Sequence, residues 1–474
     1  MPDAAVRSTS TTSQGRELAR DLKVSHAGAI VVGTIIGSGI FLVPKEMMQA
    51  AGSSGLVYLA WIVGGLLSFF GALTYAELGA MKPEAGGEYV YMRDGYGPLG
   101  GFLYAWTYFL VAKPGSMATI STGFVRILGT FPALAFLPNV AFSVPFKVTY
   151  GQLVAIAAVI LISFINYIGV KKAGEFQLFF TLLKVAIIVG IVVVGFSYAS
   201  GTFANFSTTF TGPNDNLAPG SGLPYIPGGF AGFMAALIAA LWAYDGWNLV
   251  TTVSSEIRNP QRSLPIALIA GVATVAVLYI LVNASVQYVM PASQLAAADR
   301  PASQVMFLVL GGLGAAIVSA GMALSMIVTL NGSTLTGARV PFAVARDGYF
   351  FHGLAQVHPR FRTPSNAIVV QAILAIALLL LASTFSELFS LTLFAEWLFY
   401  MLAAGSIFIF RRREPNAERP YKVWGYPLVP ALFIAASAVL LFYTFTANVR
   451  NSVVGSLVIL AGVPVYWTFK KKRS

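Results

Sequence analysis

Runs of apolar residues, separated by short polar or Gly/Pro-rich breaks, fill nearly the whole chain. A helix needs roughly 20 apolar residues to cross a bilayer, and runs of that length recur about twelve times. We therefore predict an all-α integral membrane protein of about twelve transmembrane helices. The predicted spans are 26–50, 55–81, 98–128, 149–169, 174–199, 229–254, 264–290, 306–340, 365–383, 386–410, 425–447 and 452–469.

The longest polar break in the middle of the chain, at 200–228, is rich in Gly, Pro and Asn and contains no Lys or Arg. It separates two groups of five predicted helices, and this arrangement is typical of an inverted-repeat transporter with two further helices at the C-terminus. The predicted parts are a cytoplasmic tail at 1–25, a first repeat at 26–199, an extracytoplasmic loop at 200–228, a second repeat at 229–410, a basic cytoplasmic loop at 411–424, a helix pair at 425–469 and a basic tail at 470–474.

The composition supports this class and excludes several chemistries. Charged residues make up 10% of the chain and hydrophobic residues 57%, whereas soluble proteins carry about 25% charged residues. Cysteine is absent, which excludes disulfides, thiolate metal sites and cysteine nucleophiles. The three histidines, His26, His352 and His358, are widely scattered. We therefore expect no metal site and no cofactor.

The formal net charge of +12 is explained by membrane topology rather than by nucleic-acid binding. With the N-terminus inside and an even number of spans, Lys113 and Lys184 lie within spans and most other basic residues face inside. The basic residues of the outer segments are Lys45, Arg126, Lys147, Arg300 and Arg450. This asymmetry follows the positive-inside rule and predicts two cytoplasmic termini in a cell (inner) membrane. The polar N-terminus lacks an apolar h-region, so no cleaved signal peptide is expected.

Two basic clusters lie directly at span ends, at Arg411 to Arg413 and at Lys470 to Arg473. Such clusters can bind anionic lipid head groups, or they can simply anchor the helix ends on the cytoplasmic side. We favour anchoring, and membrane lipids remain predicted partners in either case.

The first span contains a weak point at its centre. Gly33, Gly37 and Gly39, with the hydroxyl residues Thr34 and Ser38, interrupt an apolar stretch. Glycine inside a helix costs up to about 1 kcal/mol relative to alanine, so the helix can open here. The GxxxG spacing of the first two glycines also suits close helix packing, and this run alone does not distinguish the two interpretations.

The sixth span has a second weak point, which favours the interpretation as a break. Asp245 and Gly246 lie at mid-span, and a carboxylate there must face the protein interior. Each weak point lies in the first helix of a five-helix half, and such paired interruptions mark the substrate site of inverted-repeat transporters. Opened carbonyls at Thr34, Ile35 and Trp242 to Tyr244 can accept hydrogen bonds from an ammonium group. The free N–H groups of the outer half of the first helix suit a carboxylate, so an α-amino acid satisfies both sets.

Several motifs of the chain resemble those of a known family. They are Val32 to Pro44 (VGTIIGSGIFLVP), Ala243 to Asn248 (AYDGWN), Ser255 to Pro260 (SEIRNP), Asn331 to Ser333 (NGS), Trp397 to Tyr400 (WLFY) and Arg419 to Val423 (RPYKV). Together they resemble the L-type amino acid transporters, the light-chain branch of the amino acid–polyamine–organocation superfamily, and the resemblance covers essentially all of residues 22–425. Members of that branch are typically sodium-independent amino acid exchangers, and the resemblance implies this activity for the chain.

The resemblance also implies roles for individual residues. The amides of Ser38 and Gly39 would bind the substrate carboxylate, and the carbonyls of Ile35, Trp242 and Ala243 would bind its amino group. The indole of Trp242 would be an aromatic gate that covers the substrate from outside.

By the same resemblance, Asp245 and Glu396 would line the pocket for the substrate side chain. The predicted substrate-binding residues are thus Thr34, Ile35, Gly37, Ser38, Gly39, Trp242, Ala243, Tyr244, Asp245 and Glu396.

Three other charged residues lie in or near spans. Lys184 is too far from either end of the fifth span to snorkel easily, and by resemblance its ammonium stands where sodium-coupled relatives bind sodium. Lys113 precedes Pro114, which frees a backbone carbonyl that the lysine can satisfy; we favour this account over a role in the substrate pathway. Glu77 is expected to pair with a cytoplasmic arginine.

The leading hypothesis is exchange of neutral L-amino acids by alternating access. Transport of cationic amino acids or polyamines comes second, because Asp245 and Glu396 make the pocket acidic, and sodium- or proton-coupled symport comes third. An intramembrane enzyme or a receptor is disfavoured, because no histidine lies deep in a span and no loop is long enough for a soluble domain. Eukaryotic light chains are joined to a glycoprotein through a cysteine that this chain lacks, so no disulfide-linked subunit is expected.

Overall fold

The computed structural model describes the backbone of residues 17–143, 147–210, 228–381, 385–447 and 449–473. Side chains are described over the same ranges except for 385–394, 447 and 471–473. Parts of the predicted tail at 1–25, of the predicted loop at 200–228 and of the predicted tail at 470–474 therefore lie outside the described residues.

Helices make up most of the described chain. They are α1 Val24–Ile35, α2 Gly39–Ala51, α3 Ser54–Met81, α4 Glu88–Tyr96, α5 Pro98–Thr107, α6 Lys113–Leu128, α7 Tyr150–Tyr167, α8 Val170–Phe196, α9 Gly229–Ala243, α10 Pro260–Val289, α11 Ala292–Ala297, α12 Pro301–Gly337, α13 Arg339–Arg346, α14 Ser365–Leu381, α15 Phe385–Arg413, α16 Leu428–Ala447 and α17 Val449–Arg473. A π-helical turn, Tyr108–Ala112, joins α5 to α6, and 3₁₀ segments occur at Pro132–Leu134, Phe203–Ser207, Trp247–Glu256 and His352–Ala355. A short antiparallel hairpin pairs β1 Val140–Phe142 with β2 Val148–Thr149.

Within the described ranges, nine segments are long and apolar enough to cross a membrane, and α14 is a shorter apolar helix. The predicted span at 98–128 is divided by the π-helical turn, and the predicted span at 386–410 lies within α15. The protein is therefore a multi-pass helical membrane protein. The total of twelve spans and the inverted repeat remain predictions.

The fifth predicted span, α8, shows how its residues are sorted between lipid and protein. Phe179, Leu182 and Val193 are more than half exposed, whereas Gln177 and Lys184 on the opposite side are buried. In a bilayer the exposed apolar side chains face lipid tails, and polar groups must find partners inside the protein. α8 thus directs its polar face toward α1, α10 and α12, against which it packs.

The C-terminal end of α3 is fixed by an arginine that pairs with Glu77. Arg411 donates two hydrogen bonds to this buried carboxylate, at 3.0 and 2.6 Å, and the amide of Val423 donates a third at 2.6 Å. The pairing of Glu77 with an arginine is as predicted. α15 continues through Arg413, so the helix extends past the predicted boundary at 411.

Candidate functional site

The first predicted span is divided at its centre. α1 ends at Ile35 and α2 begins at Gly39, with a tight turn closed by a 2.8 Å hydrogen bond from the Gly37 amide to the Ile35 carbonyl. The first N–H groups of α2, after Ser38, have no acceptor within their own helix. They form a positive helix end in the middle of the candidate membrane span Val24–Ala51.

The sixth predicted span is divided in the same way. α9 ends at Ala243, and a 3₁₀ segment resumes at Trp247 after Gly246, whose φ of +100° favours glycine. The two breaks touch each other. The hydroxyl of Thr34 donates to the Gly246 carbonyl at 3.0 Å, and a β-carbon on Gly39 would stand 3.0 Å from the Ala243 Cα. Only glycine at position 39 allows this approach.

Tyr279 of α10, which the sequence interpretation did not single out, joins the two breaks. Its hydroxyl lies 3.0 Å from the Ile35 carbonyl oxygen and 2.9 Å from that of Ala243, and the side chain is fully buried. These are two of the carbonyls predicted to bind the substrate amino group. In this structure the Ile35 oxygen also accepts from Gly37, so both predicted acceptors have donors within the protein. The sequence shows a tyrosine in an apolar span, but it does not show which groups the hydroxyl contacts.

Lys184 reaches the first break from the side of α8. Its ammonium donates to the carbonyls of Gly33 at 2.9 Å and Ile36 at 2.5 Å, and it lies 3.5 Å from the Thr329 hydroxyl. Ser325 of α12 adds a second donor to Ile36 at 2.9 Å. A single buried cation thus satisfies carbonyls that the opened helix leaves without intrahelical partners.

The predicted gate, Trp242, is half-buried, and its ring edge lies 3.6 Å from where a β-carbon on Gly39 would stand. It therefore lies over the N-terminus of α2. The neighbouring Tyr244 points elsewhere, because its fully buried ring packs against Trp61 and its hydroxyl donates to the Trp61 carbonyl at 3.3 Å. Only the backbone of Tyr244 is directed toward the break.

The two predicted pocket carboxylates lie on facing elements. Asp245 accepts a 3.0 Å hydrogen bond from the hydroxyl of Tyr400 in α15. Glu396 is one helical turn before Tyr400, so both side chains lie on the same face of α15. Both carboxylate residues are half-buried. The structure thus places Asp245 and Glu396 on facing elements beside the break in the sixth span, and the pocket that they would line stays a prediction.

A third carboxylate, that of Glu88 at the start of α4, is connected to Asp245 through Tyr75 and Tyr400. The sequence interpretation missed it. It is 1% exposed and accepts hydrogen bonds from Tyr75 at 2.6 Å, Tyr104 at 2.7 Å and Asn248 at 3.0 Å. The residue is acidic and follows the polar break after α3, so no sequence pattern indicates that it lies inside the protein.

Lys113 supplies a positive charge to the same region. Its side chain is 3% exposed, and its ammonium lies 5.2 Å from the centre of the Tyr108 ring in the π-helical turn. Its charge acts on Glu88, Asp245 and Glu396. Lys113 is therefore within electrostatic range of the three carboxylates, and the contact with a backbone carbonyl that the sequence favours stays a prediction.

α2, the second half of the first span, is bound to α11 and to the residues between α11 and α12. Lys45 donates a 2.6 Å hydrogen bond to Asp299, and Gln49 donates to the Ala296 carbonyl at 2.8 Å. The Lys45 ammonium holds the pKa of the Asp299 carboxyl below its usual range. These contacts position α2, whose N-terminus forms one side of the break.

Among the residues that the structure describes, no group of three or more His, Asp or Glu side chains is arranged to hold a metal ion. The polar groups at the breaks are instead amides, carbonyls, hydroxyls and single charges. Such a set can bind a small zwitterion, because it offers N–H donors on one side and oxygen acceptors on the other.

Comparisons with known proteins agree with this architecture. The model of the amino acid permease family matches residues 22–469. The serine/threonine exchanger SteT of Bacillus subtilis is 31% identical over 460 residues, which cover 96% of this chain and 98% of that protein. The human b(0,+)-type amino acid transporter 1 is 32% identical over 95% of this chain and 88% of its own length. The human cystine/glutamate transporter is 30% identical over 96% and 86%.

These relatives are transporters and exchangers rather than enzymes, and the family match extends from before the first break to the last helix. Since the chain contains no cysteine, it has no disulfide-linked subunit. The chain belongs to the amino acid permease family of the amino acid–polyamine–organocation superfamily.

Proposed function

We propose that this protein is a sodium-independent exchanger of amino acids that works by alternating access in the cell membrane. One observation carries the proposal: the N-terminus of α2, a positive helix end, meets the break after α9 in the interior of the protein. The amides of Ser38 and Gly39 would bind the substrate carboxylate, and the carbonyls of Ile35, Trp242 and Ala243 would bind its amino group. The indole of Trp242 would close the site from outside.

The position of Lys184 supports transport without sodium. A sodium ion at the first break would need several oxygen ligands, and the carbonyls of Gly33 and Ile36 are the natural candidates. The Lys184 ammonium already binds both. A sodium ion there would first have to displace the Lys184 side-chain nitrogen from both carbonyls.

The proposed architecture is a five-plus-five inverted repeat of α-helices with broken first and sixth members, followed by two more helices. Helices of the first and sixth positions would rock against the remaining scaffold around a fixed midplane site. The distribution of Lys and Arg supports cytoplasmic termini.

Neutral L-amino acids are the proposed cargo, because the backbone groups of the breaks bind the part that all amino acids share. The serine/threonine exchanger among the relatives is named for neutral cargo. A second candidate, cationic amino acids or polyamines, is favoured by the two carboxylates Asp245 and Glu396 on one pocket wall.

Counterflow of labelled leucine, alanine and arginine into proteoliposomes, with and without a sodium gradient, tests the proposal. We expect leucine or alanine to exchange at the same rate in both conditions. Exchange of arginine alone, abolished in Glu396→Gln, would replace neutral by cationic cargo, and uptake that requires the sodium gradient would refute exchange without sodium. Ser38→Trp should abolish counterflow, whereas Ser197→Trp, at the exposed end of α8, should retain it.

A further inference from the structure

Asn248, immediately after the break in the sixth span, has one satisfied and one unsatisfied side-chain group. Its amide nitrogen donates to Glu88 at 3.0 Å. Its amide oxygen is buried and has no hydrogen-bond partner within the described residues. Buried acceptors without a partner are uncommon and carry a free-energy penalty, so this oxygen is a group that a ligand can satisfy.

Glu88 determines which way the Asn248 amide faces. The carboxylate receives two hydroxyl hydrogens, from Tyr75 at 2.6 Å and Tyr104 at 2.7 Å. An ionised carboxylate only accepts hydrogen bonds, so the amide must turn its nitrogen toward Glu88. The orientation therefore follows from the chemistry of the partner, and the oxygen is left facing away from Glu88.

Asn248 is linked through Glu88 and Trp247 to the residues that are predicted to contact the substrate side chain. The hydroxyl of Tyr75 lies 3.4 Å from the Tyr400 carbonyl, and the Tyr400 hydroxyl binds Asp245. The Trp247 ring, next to Asn248 in the chain, lies 6.0 Å from the Tyr400 ring. The region around Tyr400 thus contains the carboxylates of Asp245 and Glu396, and the neighbouring Asn248 adds an amide oxygen; all of these groups accept hydrogen bonds.

We propose that Glu88 is a positioning residue that turns the Asn248 amide oxygen toward the substrate side chain, and that this oxygen selects cargo whose side chain donates a hydrogen bond. The inference rests on the proposed function and narrows its cargo to hydroxyl or ammonium side chains. An apolar side chain of the same shape leaves the acceptor unpaired and binds less well.

Threonine and valine are suitable probes, because they differ by a hydroxyl in place of a methyl group. We expect the KM of wild-type exchange to be about tenfold lower for threonine than for valine, in line with the penalty for an unpaired buried acceptor. In Asn248→Ala the ratio of the two KM values should fall to within about twofold. An unchanged ratio in this variant, or no preference in the wild type, would overturn the inference.

A charge swap tests the role of Glu88 itself. Asn248→Asp places two carboxylates face to face and should reduce exchange about tenfold or more. Adding Glu88→Gln restores a donor–acceptor pair with an acceptor still facing the pocket, so the double variant should recover activity and the preference for threonine. A double variant no better than Asn248→Asp would refute positioning by Glu88.

Tyr104→Phe is the matched control, because it removes a hydroxyl from the other carboxylate oxygen and leaves the bond to Asn248 in place. Its threonine-to-valine ratio should stay within about twofold of the wild type; a ratio that falls as in Asn248→Ala would contradict the assignment. The proposed function is tested independently of this ratio. It predicts that the wild-type protein exchanges some amino acid, and it would be refuted by the absence of any counterflow.

Discussion

The ammonium of Lys184 lies 2.9 Å from the carbonyl oxygen of Gly33, in the last turn of α1. The same ammonium binds the carbonyl of Ile36 inside the break. This single side chain therefore connects α8 to the point at which the first span opens, and removing it leaves buried carbonyls with fewer donors.

Replacing Lys184 by methionine should reduce amino acid exchange at least about tenfold, because the carbonyls at the break lose their positive partner. The measurement is initial counterflow into proteoliposomes. Lys171→Met is the control on the same helix, since Lys171 is exposed and its ion pair with Glu175 is long, at 3.9 Å. Equal loss in both variants, or full activity of Lys184→Met, would contradict the role given to this lysine.

Gly39→Ala should abolish most exchange, because the added β-carbon would lie 3.0 Å from the Ala243 Cα and force the two breaks apart. Gly28→Ala provides the comparison within the same span, since a β-carbon there meets nothing within 4 Å. The second variant should transport normally and be as stable as the wild type or slightly more so, given the better helix propensity of alanine. Similar exchange rates for the two variants would show that the contact is not required.

Arg339 and Glu256 form a fully buried ion pair with two hydrogen bonds, at 2.7 and 2.9 Å. Arg339→Met should lower the free energy of unfolding by about 3–5 kcal/mol, because it leaves a buried carboxylate without its partner. Thermal or denaturant unfolding in detergent measures the change. Adding Glu256→Leu should recover part of the loss, since the unpaired charge is then gone.

Lys45→Met removes the exposed pair with Asp299, whose side chain is 91% exposed, and should change stability by only about 0–1 kcal/mol. If Arg339→Met were no more destabilising than this control, the prediction that the buried ion pair contributes more to the free energy of unfolding than the exposed one would be wrong.

Glu77→Ala should release the loop that follows α15, because the carboxylate accepts from Arg411 and from the Val423 amide. We expect trypsin to cleave after Lys422 at least about fivefold faster, since proteolysis follows local opening. Limited digestion with mass-spectrometric mapping measures this. Glu84→Ala, which removes an exposed partner of Arg93, should leave cleavage in that loop unchanged; acceleration in both variants would point to general destabilisation.

Much of the site follows from local sequence, and this explains which predictions agree with the structure. Glycine and aspartate weaken a helix wherever they stand in an apolar run. The positions of Gly37, Gly39 and the Asp245–Gly246 pair therefore locate both breaks from the local sequence alone. Lys184 was placed near the first break through resemblance, and its hydrogen bonds to Gly33 and Ile36 lie there.

Other parts of the site depend on how helices cross. Tyr279 is far from both breaks along the chain, and only the packing of α10 brings its hydroxyl to Ile35 and Ala243. Glu88 looked like a loop residue because it follows a polar break, yet three donors from different elements surround it. Side-chain partners at long sequence separation leave no periodic signal in a single chain.

The sequence by itself determined that this protein is a helical membrane protein with two weakened spans, because hydrophobic length and glycine content act locally on each helix. Only the tertiary structure decided which groups satisfy the opened backbone: Lys184 at the first break, Tyr279 across both, and Glu88 on Asn248. The reason is that a buried polar group must find its partner wherever the fold places one. The direction of the Asn248 amide is thus a property of the folded protein.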